Sequence, residues 1–149
     1  MRFCFASAAV HIKCCCTRVR VLEYIRVPCV HRVLLVREDL PLLGELCKVV
    51  DSTLSEGDIV GVGQLSFTVF ATGGHTPGGL SLVGEEAAFV GDALFAGSLG
   101  GTRQQIAYQM QRDSVAEHIL GLRDEVLLYP GHGPATTVVE ERVHNPFFI

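Results

Sequence analysis

Long apolar runs, late cysteines and early acids are what this sequence has little of. No stretch of about 18 apolar residues occurs in the 149-residue chain, which argues against a membrane-spanning helix. Cysteine is absent after Cys47, and between Met1 and Arg37 the only acid is Glu23, against seven lysines and arginines. The remainder carries five basic and fifteen acidic residues, so a basic beginning is joined to an acidic body. Such asymmetry can mark a nucleic-acid arm or an address peptide. Here no aromatic interleaving and no nucleic-acid motif accompanies it, so no nucleic-acid partner is expected. The six cysteines (Cys4, Cys14, Cys15, Cys16, Cys29, Cys47) include a run of three in a row, whereas zinc motifs space their thiolates by two to four residues. The apolar run Phe3 to Val10 is short and soon broken by His11 and Lys13, a poor signal peptide. Reduced thiols in the cytoplasm are the expectation.

What the chain does have is a core-forming composition, 48% hydrophobic, with no repeat and no linker-like stretch. Residues 1–30 stand apart as an atypical basic, Cys-rich segment, and residues 31–149 read as one α/β domain. Val19 to Val27 alternates partly, as a strand would, and VLLV (Val33 to Val36) suits a short buried strand. Glu38 to Leu46 opens with acids and an early proline, as a first helical turn can. Two hairpins are predicted: Asp58–Val62 with Leu65–Ala71 across Gly63-Gln64, and Gly79–Val83 with Ala87–Val90 across residues 84–86. A helix is predicted from about Gln104 to Leu120, with Ile106, Met110, Val115 and Ile119 at roughly helical spacing. EVLLY (Glu125 to Tyr129) reads as a further strand. A last helix begins at Thr136 or Thr137, where Thr137 and Glu140 make a capping box, and ends near His144 ahead of Pro146.

Three of these strands end in the same way. Leu65–Ala71 runs into Gly74 and His75, Ala87–Val90 into Gly91 and Asp92, and EVLLY into Gly131 and His132. Taken singly, each histidine suits a loop imidazole bonded to a carbonyl, and Asp92 suits a turn or N-cap aspartate. Taken together, three strand ends that each deliver a His or Asp are how a sheet builds one site at one edge. Imidazole and carboxylate suit zinc, iron or manganese. His11, His31, His118 and His144 are read as surface or capping residues.

From about Arg37 to Phe148 the chain resembles the second half of a metallo-β-lactamase-fold hydrolase, the superfamily that includes glyoxalase II-like thioesterases. The resemblance is carried by REDLPLLGE, EGDIVGVG, TGGHTPGGLSLV, FVGDALFAGSLGGT and PGHGPATTVVEERVHNPFF. It implies an αβ/βα sandwich and a centre of two metals, zinc above all, with His75 on the first, Asp92 bridging both and His132 on the second. It also implies hydrolysis of a small thioester, ester or lactam by metal-activated water, with Asp92 the residue that would hold the nucleophile. Three departures accompany it. The family's His-x-His-x-Asp-His motif has no counterpart upstream of REDLPLLGE. Gly73 stands where proline is usual, and GGTR (Gly100 to Arg103) stands where many relatives carry Gly-Arg-Thr-Asp. The expectation is an N-terminally truncated sandwich whose activity is impaired, or else a fragment or interaction module that keeps the fold without the chemistry.

Overall fold

A computed structural model of the chain describes residues 34–39, 41, 48 and 51–149. Alternating apolar and small residues between glycine-marked turns produce its main feature, a six-stranded mixed sheet. Its strands are β3 (Ile59–Val62), β4 (Leu65–Ala71), β5 (Leu80–Val83), β6 (Ala87–Gly91), β9 (Leu127–Pro130) and β10 (Thr136–Thr137). They lie in the order β10-β9-β6-β5-β4-β3. Two smaller pairs flank it: β1 (Leu34–Val36) runs parallel to β2 (Ser52–Leu54), and β7 (Leu94–Phe95) antiparallel to β8 (Ser98–Leu99). The helices are α1 (Gln105–His118) and α2 (Val138–His144).

Both predicted hairpins form. β3 and β4 pair with Val62 opposite Leu65, and β5 and β6 with Leu82 opposite Phe89. The one parallel contact within this sheet joins β6 to β9. Because β4 and β6 are each antiparallel to β5, the strands β4, β6 and β9 all point the same way. Their C-terminal ends therefore share one edge of the sheet.

Period-two alternation gives the sheet two apolar faces. Val83, Ala88, Val90 and Leu128 form the core with Val115 of α1, Ile119 just beyond it and Val138 of α2. Opposite them, Phe67, Val69 and Leu82 cluster with half-buried Leu54, Val60 and Phe89. Each fully buried side chain of this kind stabilises the fold by roughly 1.5–3 kcal/mol relative to exposure.

Helix α1 forms because residues 105–118 lack glycine and proline and are rich in good helix formers. Its buried stripe differs from the expected one. Ile106 and Met110 are 64% and 63% exposed, and Gln111 takes the inward position between Ala107 and Val115. The first half of the helix lies against the backbone of loops, which an amide can satisfy and a thioether cannot. The capping residue of α2 is Thr137, whose hydroxyl accepts from the Glu140 N–H at 3.3 Å, and the helix stops at Asn145 before Pro146. His118, expected at the surface, is half-buried and stacked on Phe70 with ring centroids 4.9 Å apart. Where a first helical turn is expected over Glu38 to Leu46, Arg37–Asp39 form a 3-10 turn that overlaps its start. The rest of that range, apart from Pro41, lies outside the described residues, as do residues 1–30, the strand expected at Val19 to Val27, and His11 and His31.

Candidate metal centre

The common edge of β4, β6 and β9 is where His75, Asp92 and His132 meet. Asp92 leaves β6 through Gly91, whose φ of +53° and a register shift between Phe89 and Gly91 turn the chain sharply. Its side chain is only 5% exposed. The turn after β9 is laced to this one by the backbone, since the Gly131 N–H donates to Gly91 O at 2.8 Å. His132 thus stands beside Asp92, with its Nε2 3.6 Å from Asp92 Oδ2. His75 arrives from the β4–β5 loop, with its Nε2 3.7 Å from the same oxygen. Two imidazoles 57 positions apart in sequence converge on one carboxylate atom because three strands end together.

The His75 loop is held from two sides. Asp39, 5% exposed in the turn after β1, accepts from the Thr76 hydroxyl through Oδ2 and from the Gly78 N–H through Oδ1, both at 2.8 Å. Across the ring, His75 Nδ1 meets Gly101 O at 2.7 Å. A carbonyl oxygen only accepts, so Nδ1 carries the proton. In the neutral ring this places the Nε2 lone pair on the Asp92 side. A histidine bonded to a carbonyl through one nitrogen and turned to a ligand through the other is the usual arrangement at metal sites.

Among the described residues, no group of three or more His, Cys, Asp or Glu side chains is placed to hold a metal ion. What stands here is two imidazole nitrogens facing one carboxylate oxygen at distances too long for hydrogen bonds. Two atoms each about 2.0–2.2 Å from one zinc ion lie at most about 4.4 Å apart. Both gaps fall within that span, so each histidine, taken with Asp92 Oδ2, is within reach of one cation. The Phe95 ring, centred 6.4 Å from that of His132, forms an apolar wall at the open side, where the His132 side chain is 61% exposed.

Asp39, Gln111 and the Gly101 carbonyl also shape the site, and the sequence does not single them out for it. The one available signal was Gln111, a polar residue four positions from Val115 and eight from Ile119 on an otherwise apolar helical stripe. Backbone acceptors such as Gly101 O leave no mark in a sequence.

A mixed sheet flanked by two helices, with His75, Asp92 and His132 together where β4, β6 and β9 end, is the arrangement to set beside known proteins. The chain belongs to the metallo-beta-lactamase superfamily, whose family model matches residues 19–132, a range that starts within the segment set apart above. It is similar to the hydroxyacylglutathione hydrolase GloC of Haemophilus influenzae, with 35% identity over 95 residues, covering 62% of this chain and 45% of that protein. Among solved structures it is similar to the BLEG-1 B3 metallo-beta-lactamase, at 30% identity and a TM-score of 0.70, covering 78% of this chain and 65% of that one. It is also similar to TTHA1623 in a di-iron-bound form, at 29% identity and a TM-score of 0.58, covering 78% and 64%. The chain spans about half the length, or less, of the curated relatives it matches.

Proposed function

We propose that this chain carries part of the metal centre of a hydrolase acting on a small thioester, ester or lactam, with His75, Asp92 and His132 as its metal ligands. The observation that carries the reading is the convergence of both Nε2 atoms on Asp92 Oδ2, at 3.7 and 3.6 Å. Three protein ligands and an open position are what a catalytic zinc site uses. The relatives agree in kind: one is named for hydrolysing hydroxyacylglutathione, and one solved neighbour holds two irons.

A bound zinc, iron or manganese ion supplies polarisation of the substrate carbonyl and a lowered pKa for water. The chain's own groups do the rest. Asp92 places a buried negative charge where the cation is to be held, and Gly101 O fixes the His75 tautomer that can bind it. His132 and Phe95 line the side from which a small acyl compound would enter. No side-chain nucleophile is required.

The test is turnover of an S-acyl glutathione, an aryl ester and a β-lactam by protein loaded with zinc, iron or manganese, beside Asp92→Asn. Turnover of one class, lost in Asp92→Asn, is the expected result. No turnover under any loading would leave the second reading, a chain that keeps the fold without chemistry. That reading is favoured by the lack, among the described residues, of any group of three or more His, Cys, Asp or Glu placed to hold a metal ion.

A further inference from the structure

We infer that Gln111 is a positioning residue that sets the separation and the tautomer of His75 relative to Asp92; its meaning for chemistry rests on the metal-centre reading above. Gln111 is 0% exposed, the one fully buried polar side chain of α1. Its Nε2 donates at 3.0 Å to Ala93 O, the carbonyl of the residue after Asp92. The second Nε2 proton goes, also at 3.0 Å, to Gly100 O, one residue before the carbonyl that binds His75 Nδ1. Its body closes on the third loop: a Cβ on Gly74, next to His75, would lie 2.5 Å from Gln111 Cβ and 2.6 Å from Gln111 Oε1. One amide thus touches the backbone beside both candidate ligands and beside the acceptor that orients one of them.

The amide is also a poor choice for stability alone. Among the described residues, Gln111 Oε1 is buried with no hydrogen-bond partner. A buried acceptor left this way is a standing cost. Methionine has a similar length and shape and would remove that orphan; Ala93 O would keep its bond from the Gly100 N–H at 3.1 Å, and Gly100 O would lose the amide donor. A side chain that spends stability to hold two loop carbonyls is what a positioning role looks like.

The experiment is Gln111→Met in the full chain, read in three ways. Thermal unfolding is expected to change little, because the variant exchanges one unsatisfied buried acceptor, Gln111 Oε1, for another, Gly100 O. Nitrogen-15 NMR of the metal-free protein is expected to show His75 as the Nδ1–H tautomer in the unsubstituted chain and as a mixture in the variant. Cobalt(II) binding, followed by its absorption bands, is expected to weaken by about tenfold or more, as outer-shell losses do at metal sites. An unchanged tautomer with unchanged cobalt affinity would overturn the inference. If neither protein binds cobalt but the tautomer still shifts, the metal reading falls and the positioning role stands. If Gln111→Met does not fold, NMR of the unsubstituted protein decides. Two slowly exchanging Nε2 protons, each coupled across a hydrogen bond to the Ala93 or Gly100 carbonyl carbon, would support the bridge. Their absence would overturn it.

Discussion

Gly131 donates its backbone N–H to Gly91 O at 2.8 Å, and this single bond joins the turn that carries Asp92 to the turn that carries His132. The relationship extends the parallel pairing of β6 and β9 past its last register pair, Gly91 with Pro130. It holds the two side chains next to each other without using either of them. The His132 imidazole should therefore be dispensable for folding. His132→Ala is expected to change stability by no more than about 0.5 kcal/mol, as for other exposed side chains. Urea unfolding followed by circular dichroism checks this.

Asp39 makes the opposite case. Its buried carboxylate bonds the Thr76 hydroxyl and the Gly78 N–H, and nothing else described takes over the buried N–H. Asp39→Ala should cost roughly 2–4 kcal/mol, from the lost charge-assisted bonds and an unsatisfied donor. Hydrogen exchange should locate the loosening at residues 76–79. Uniform destabilisation without local loosening there would contradict the clamp.

Gly100 is required by close approach. A Cβ at this position would lie 1.7 Å from Asp92 O and 2.8 Å from Gln111 Nε2. The first neighbour is backbone and cannot swing away. Gly100→Ala is expected to cost about 3 kcal/mol, the upper end of overpacking penalties. Gly101→Ala, where a Cβ meets nothing within 4 Å, is the matched control and should be close to neutral.

Glu141 anchors α2 to the loop beyond Asp92. It is 3% exposed and accepts from the Gly97 N–H, the Thr136 hydroxyl at 2.7 Å and the Asn145 amide at 2.7 Å. Glu141→Gln keeps the shape but turns one acceptor into a donor that faces a donor. A loss of about 1–3 kcal/mol is expected, measurable as a lower urea midpoint at unchanged slope.

The sheet was legible because its strands announce themselves. Gly63-Gln64 and Gly84-Glu85-Glu86 punctuate period-two runs, and Thr137 with Pro146 brackets α2 at both ends. The meeting of His75, Asp92 and His132 followed from one repeated pattern, an apolar run ending in Gly and then a ligand-type residue. The buried face of α1 differs from the one expected for a physical reason. Ile106 and Met110 have the right spacing for a core stripe, but spacing does not say what packs opposite, and here it is loop backbone. Gln111 was invisible as a site residue because its partners are the carbonyls of Ala93 and Gly100, which every residue type possesses. Asp39 lay within a stretch that resembles the family, yet its partner Thr76 is 37 residues away, a distance no local pattern bridges.

His75, Asp92 and His132 are proposed above to hold a metal. The direct measurement is metal per chain, by elemental mass spectrometry on purified protein after loading and removal of excess ion. It is made beside a variant with His75→Ala and His132→Ala together, whose fold is verified by circular dichroism. About one ion per chain, as three convergent ligands allow, present in the protein and lost in the variant, is the predicted result. Equal metal in both proteins, or none above background in either, would contradict it.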